Sequence, residues 1–102
     1  MSTSPAGPVS EELELVHDAG LASQDLLRLA VDRRPSVRAA VARRSDCPVA
    51  ALMSLGHDRD PEVLRALIAN PRTPASVIRA LADHRTPAIA DAAVQRLRNS
   101  LR

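Results

Sequence analysis

The sequence predicts an all-α fold, a short α-solenoid of three 26-residue units that each contain two helices. Three observations predict it: a pattern that recurs every 26 residues, a helix-start signature that recurs with it, and the absence of Phe, Trp and Tyr from the 102 residues. Since one aromatic side chain buries roughly 150–250 Å², a core without any must be built from many aliphatic side chains in close contact. This composition favours thin helical layers.

The recurring pattern consists of columns of identical or apolar residues at a spacing of 26 positions. The identical columns are Leu29, Leu55 and Leu81; Pro35, Pro61 and Pro87; Arg33, Arg59 and Arg85; and Ala40, Ala66 and Ala92. The apolar columns include Leu26, Leu52 and Ile78, and also Val37, Val63 and Ile89. Self-similarity at a fixed period is typical of stacked helical repeats. It divides the chain into units of about 21–46, 47–72 and 73–102.

The second helix of a unit begins with a capping residue followed by proline, as in Asp60-Pro61. Proline is favoured at the first helical position, where the N–H that it lacks would have no intrahelical partner. We expect a second helix over 61–69, ended by Asn70-Pro71 because a residue before proline avoids the helical region. In the same way, Thr73-Pro74 predicts a first helix over 74–82.

Helices of eight or nine residues are marginal alone in water, so each unit must be stabilised by its neighbours. We therefore expect the apolar columns of the middle unit to be buried, since neighbouring units cover them on both sides. The residues concerned are Leu55, Val63, Ala66 and Leu67.

The two ends of such a stack need covering segments. We predict an acidic N-terminal capping helix over 10–20, preceded by a disordered tail over 1–9. The last helix has an apolar stripe with a spacing of four residues and is expected to cover the other end. The stripe consists of Ile89, Ala93, Leu97 and Leu101.

Two strings, RRPSVRAAVA from Arg33 and ANPRTPASVIRALA from Ala69, resemble the leucine-rich repeat variant family, over about residues 22–97. The resemblance implies a superhelix of alternating α and 3₁₀ layers, in which one helix of each pair is tighter and shorter. It implies no activity, because that family is defined by its architecture. The stretch Asp32–Arg38 also resembles HEAT-like repeats, the neighbouring class of α-solenoid.

Cys47 is the only cysteine, which excludes an intramolecular disulfide and a cysteine cluster for zinc or iron–sulfur. Some members of the leucine-rich repeat variant family carry a cysteine-rich iron–sulfur module at the N-terminus. The N-terminal residues here include no cysteine, so we expect no such cofactor. The first residues lack the pattern of a signal peptide, and no apolar run approaches the ~20 residues of a membrane span. We expect a cytoplasmic protein without a membrane partner.

Arg33, Arg59 and Arg85, called here the Arg column, fall in the turn between the two helices of successive units. Stacking would align them along one edge, where guanidinium groups could bind phosphates or acidic side chains with bidentate hydrogen bonds. The alternative is a structural role, in which each Arg binds the last carbonyls of the preceding helix or pairs with Asp32 or Asp58.

A second candidate is the basic run, five arginines within 13 residues that include no acid. Its members are Arg33, Arg34, Arg38, Arg43 and Arg44. Such a run could bind the phosphate backbone of a nucleic acid in a salt-sensitive way. Single-strand binders, however, stack bases on aromatic side chains, which this chain lacks. A solvated or protein-binding face is the other interpretation.

Catalysis has little support in the sequence. The three histidines share no metal-ligand spacing. Ser54, His57 and Asp58 include the residue types of a catalytic triad, but they lie on or beside one short helix without a nucleophile-elbow pattern. Cys47 stands at the repeat position of Thr73, which favours a partly buried structural residue over a nucleophile.

The sequence therefore favours a non-enzymatic repeat protein that acts as a protein–protein interaction module or scaffold, and the alternative is a nucleic-acid accessory protein. Residues 1–32 hold six acids and one Arg, whereas residues 33–102 hold 13 Arg and six acids. Contact between such oppositely charged ends would be weak and screened by salt. We expect a monomer or a weak homo-oligomer.

Overall fold

A computed structural model describes residues 20–100, and over that range the chain forms six α-helices and no strand. In chain order they are α1 (Ser23–Leu29), α2 (Pro35–Arg43), α3 (Val49–Leu55), α4 (Pro61–Ala69), α5 (Ala75–Leu81) and α6 (Pro87–Ser100). The all-α prediction is confirmed. The tail predicted over 1–9 and, except for Gly20, the capping helix predicted over 10–20 lie outside the described residues.

The helix bounds repeat with the period of the sequence. α1, α3 and α5 have seven residues each and begin at residues 23, 49 and 75. α2 and α4 have nine residues each, and α6 begins one period later and continues for 14 residues. α4 has the predicted bounds, and α5 is one residue shorter at each end than predicted.

The helix-start signatures are confirmed in one place and wrong in another. Asp60 caps α4 as predicted, since its Oδ1 accepts a hydrogen bond from the Glu62 N–H at 2.9 Å. Pro74, rather than Thr73, occupies the N-cap position of α5. The buried Thr73 Oγ1 instead donates to the Leu67 carbonyl at 2.7 Å, which ties the start of α5 to α4.

The 3₁₀ layer that the resemblance implied is absent from the described range, where all six helices are α-helical. The shorter helix of each unit ends instead in a tight turn with backbone hydrogen bonds from residue i to residue i−3, the 3₁₀ pattern. These bonds run from Asp32 to Leu29 (3.1 Å), from Asp58 to Leu55 (3.0 Å) and from His84 to Leu81 (3.0 Å). The turns that carry the Arg column thus share one 3₁₀-type hydrogen bond in all three units.

The core is one continuous aliphatic cluster from Leu29 to Ala93. The second helices form its centre, because α4 packs against both α2 and α6. The predicted burial of the middle unit is confirmed: the exposed fractions are 1% for Leu55, 0% for Val63, 5% for Ala66 and 0% for Leu67. Leu64 and Ile68 are buried as well, so α4 is covered on most of its circumference.

Hydrogen bonds between side chains and backbone also join successive second helices. The buried Asn70, just after α4, donates through Nδ2 to the carbonyls of Ala42 (2.7 Å) and Arg44 (2.9 Å) at the end of α2. One period later, Arg96 of α6 donates to the carbonyls of Ile68 and Asn70 at the end of α4. Equivalent carbonyls are therefore bound by equivalent positions with different side chains, which satisfies helix ends that would otherwise lack partners.

Candidate partner-binding site

The Arg column lies in the turns between α1 and α2, α3 and α4, and α5 and α6, and all three residues are exposed. None of them donates a hydrogen bond or forms an ion pair with another residue of the range 20–100. The two carboxylates proposed as structural partners are bound elsewhere: Asp32 pairs with Arg34, and Asp58 pairs with Arg38. Within residues 20–100, the Arg column therefore makes neither of the structural contacts considered for it, the helix-end carbonyls or these two carboxylates.

The backbone beneath each column Arg is held by a side chain one residue earlier. Asp32 Oδ1 accepts from the Arg34 N–H at 2.9 Å, and Asp58 Oδ1 accepts from the Asp60 N–H at 2.9 Å. In the last unit His84 Nδ1 accepts from the Thr86 N–H at 3.0 Å. His84, which interrupts a column of carboxylates in the sequence, thus makes the same turn with an imidazole nitrogen.

The basic run is largely paired, contrary to what its local sequence suggests. Arg34 and Asp32 form a bidentate pair with two distances of 2.9 Å. Arg38 binds Asp58 at 2.6 Å and 3.3 Å and also donates to the Asp32 carbonyl at 2.7 Å. The Arg38 side chain is only 18% exposed, and its guanidinium joins the first unit to the second.

The last two arginines of the run also have acidic neighbours. Arg44 and Asp46 form a bidentate pair at 2.8 Å and 2.7 Å, and this hydrogen bonding lowers the pKa of Asp46. Arg43 lies 3.7 Å from Glu62, with both side chains about half exposed, so that pair is weak. Of the seven predicted binding residues, only the three of the Arg column are exposed and have no partner among residues 20–100.

Two column arginines meet at one open depression of about 270 Å³ between the turns 56–59 and 84–86. We call it the turn depression; it is lined by Gly56, His57, Asp58, Arg59, His84, Arg85 and Thr86. The sequence contained a partial signal for it, because Asp58 and Arg59 in one turn are the repeat equivalents of His84 and Arg85 in the next. Which side chains stay unpaired there could not be read from spacing alone.

A smaller, mostly apolar depression of about 190 Å³ adjoins it between α3 and α5, and both depressions share Gly56 and His57. Met53 lines this depression and is half exposed. At Gly56 the helices approach closely: a Cβ atom there would lie 3.0 Å from Val77 Cγ1 and 3.2 Å from the Met53 carbonyl oxygen. Glycine at this position therefore allows α5 to pack beside the end of α3.

Ser54, His57 and Asp58, the residues with catalytic side-chain types, are not linked in a hydrogen-bonded triad. The Asp58 carboxylate is engaged by Arg38 and by the Asp60 N–H, and not by His57. Burial, the largest cause, and the neighbouring Asp46 charge raise the pKa of the Cys47 thiol to about 11, so it is protonated at neutral pH. Residues 20–100 contain no group of three or more His, Cys, Asp or Glu placed to hold a metal ion.

None of the described helices is both long and apolar enough to cross a membrane. The stacked pairs of short helices define the described part of the chain as a helical repeat structure. The sequence model of the leucine rich repeat variant family matches residues 35–60, from the start of α2 to the residue that caps α4. The match confirms the resemblance, and its length equals the 26-residue period. No curated protein and no solved structure gives a significant match.

Proposed function

We propose that the protein is a non-enzymatic repeat protein that binds a partner protein, as an interaction module or scaffold, through the Arg column. The observation that carries the proposal is that three equivalent guanidinium groups are exposed and have no partner within residues 20–100. Arg is enriched at interface hot spots because its planar donors bind carboxylates in a bidentate manner. The partner surface is therefore acidic.

The proposed architecture is one short α-solenoid of the units 21–46, 47–72 and 73–102, with the segment 10–20 and α6 covering its ends. Support comes from the helix bounds that recur with the sequence period and from the equivalent hydrogen bonds of Asn70 and Arg96. We place the protein in the cytoplasm, as a monomer or weak homo-oligomer.

The turns support binding because they are ordered before a partner arrives. Each column Arg follows an acceptor side chain that fixes the local backbone, so less conformational entropy is lost when a ligand binds. The half-exposed Leu27 and Met53 occupy equivalent positions on α1 and α3 and offer apolar contacts on the first-helix face. Without Trp or Tyr, we expect an interface of moderate affinity.

The nucleic-acid alternative has one supporting observation, the regular spacing of the Arg column. It is disfavoured because the other four arginines of the basic run have acidic neighbours, as the contacts of Arg34, Arg38, Arg43 and Arg44 show. A nucleic-acid partner would make capture from a lysate sensitive to nuclease.

The test is a comparison of two triple variants of the full chain. One variant replaces Arg33, Arg59 and Arg85 with Gln. The control variant replaces Arg65, Arg72 and Arg79 with Gln; these residues are also exposed, and the control loses the same total charge. Proteins captured from the native lysate after nuclease treatment are quantified for the parent and both variants. We expect the Arg column variant to lose the captured partner and the control variant to keep it.

Equal loss in both triple variants would attribute binding to total charge and would reject the Arg column as the interface. Capture that disappears from the parent after nuclease treatment would favour the nucleic-acid alternative instead.

A further inference from the structure

We propose that the turn depression binds a phosphate monoester group. The inference deepens the proposed function and rests on it for the nature of the partner, which would present a phosphorylated side chain to Arg59 and Arg85. The site itself is argued from the chemistry of its lining residues.

The depression carries two guanidinium charges that its own acids do not neutralise. Arg59 and Arg85 are exposed and have no hydrogen bond or ion pair to any other described residue. Asp58, the one carboxylate in the lining, is occupied by Arg38 at 2.6 Å and by the Asp60 N–H at 2.9 Å. The local balance therefore leaves two positive charges for a ligand.

The imidazole of His84 adds a donor rather than an acceptor. Its Nδ1 accepts from the Thr86 N–H, so the neutral ring carries its proton on Nε2. The Thr86 hydroxyl can donate as well. The two guanidinium groups, the His84 ring N–H and the Thr86 hydroxyl thus supply the lining with several unused donors, which favours an anionic ligand.

The number of charges and donors favours a phosphate monoester over a carboxylate or a phosphodiester. A monoester carries about −1.5 to −2 charges at pH 7 and three terminal oxygens, which matches two guanidinium groups and the additional donors. A carboxylate has one charge and two oxygens, and a single Arg satisfies it in a bidentate pair. A phosphodiester also has one charge and only two terminal oxygens.

The repeat contains its own comparison site. The positions equivalent to His84 and Thr86, one unit earlier, are Asp58 and Asp60. The corresponding turns of the first two units therefore combine Arg33 and Arg59 with three carboxylates, Asp32, Asp58 and Asp60. Between the second and third units, the donor-bearing His84 and Thr86 stand at the positions that Asp58 and Asp60 occupy in the preceding pair of turns.

The experiment titrates the purified full chain with small anions at constant ionic strength and follows the backbone amide NMR shifts of residues 56–59 and 84–86. The probes are O-phosphoserine, inorganic phosphate, dimethyl phosphate and glutamate. We expect saturable chemical-shift changes with O-phosphoserine and inorganic phosphate, which have three terminal oxygens and approach two charges. Dimethyl phosphate and glutamate should bind at least about tenfold more weakly. A phosphoserine peptide that binds more tightly than inorganic phosphate would identify a phosphorylated protein as the source, and equal affinity would identify a small phosphorylated molecule.

Two variants test the site. One variant combines His84→Asp with Thr86→Asp, the residues that already form the equivalent turn of the preceding unit. It should weaken phosphate binding by about tenfold or more. Arg59→Gln together with Arg85→Gln should do the same, whereas Arg65→Gln together with Arg79→Gln should bind like the parent. The amide spectra show in each case that the chain is folded.

The proposal is overturned if dimethyl phosphate or glutamate binds as tightly as O-phosphoserine, or if neither site variant weakens binding. If the chain binds no phosphate but still captures a protein through the Arg column, the phosphate site is wrong and the proposed function stands. If phosphate binds at the depression and no protein is captured, the site stands without the scaffold function.

Discussion

The Leu column and the Arg column recur with the same period and are equally invariant, yet they lie in opposite environments. Leu29, Leu55 and Leu81 are at most 3% exposed and belong to the core cluster. The three Arg column residues are exposed and have no partner between residues 20 and 100. Repetition therefore marks two kinds of position: those that each unit needs in order to stack, and those that contacts within the described chain do not explain.

The contrast extends to the backbone around each column. The leucines lie on regular α-helices whose polar groups are satisfied locally, whereas the arginines lie in tight turns fixed by Asp32, Asp58 and His84. A turn whose backbone is fixed, and whose cation has no partner among residues 20–100, suits binding better than stability. We accordingly expect substitutions in the Leu column to lower stability and substitutions in the Arg column to weaken partner binding.

The largest effect is expected in the Leu column. Leu55→Ala removes a fully buried side chain in the middle unit and should lower the free energy of unfolding by about 2–5 kcal/mol. Met53→Ala on the same helix is the control and should cost about 1 kcal/mol or less, because Met53 is 51% exposed. Urea denaturation monitored by circular dichroism measures both. Equal losses would mean that the repeat alignment does not describe the core.

The next effect is a dependence of stability on pH, and it tests the buried core through Cys47. Its folded pKa of about 11 lies above the ordinary value, so the folded state retains the thiol proton more tightly than the unfolded state. Stability is then complete below about pH 8.5 and falls by about 2–3 kcal/mol as the pH rises to 11. The chain has no Tyr, and all 14 of its basic residues are Arg, so no other side chain titrates in this window.

Cys47→Thr, which installs the residue of the next unit, is the matched control for this titration. Its free energy of unfolding should change little between pH 8.5 and 11. A parallel decline in both proteins would show that the thiol is not the cause.

A smaller loss is expected where polar contacts join the units. Asn70→Ala removes the donor to the Ala42 and Arg44 carbonyls and the acceptor for the Arg72 N–H, and should cost about 1–3 kcal/mol. Asn99→Ala removes an exposed amide of α6 and serves as the control. Thermal unfolding compares the two, and indistinguishable midpoints would contradict a stabilising role for Asn70.

The smallest effect on stability is expected in the Arg column. Replacing Arg33, Arg59 and Arg85 with Gln should change the free energy of unfolding by no more than about 0.5 kcal/mol per site, because each side chain is exposed and has no described partner. Partner capture should be lost in the same protein. A clear fall in melting temperature with capture intact would restore the structural interpretation.

Local sequence determined the helices and the core of this protein. Asp60-Pro61 and Asn70-Pro71 set both bounds of α4, because capping and proline geometry act within a few residues. The 26-residue columns predicted the burial of Leu55 and Leu67, since an apolar position repeated in every unit has no other place to pack. Sequence also singled out the Arg column as a candidate site.

Only the tertiary structure decided which charges remain available. Asp58 lies 20 residues from Arg38, and Asn70 lies 26 and 28 residues from the carbonyls that it binds, so stacking of the units is required to bring them together. For the same reason Thr73, predicted as a cap, binds the Leu67 carbonyl of the preceding helix. Pairing depends on side-chain direction across an interface, which helix periodicity does not specify. This is why, within residues 20–100, four arginines of the basic run have acidic partners and the Arg column has none.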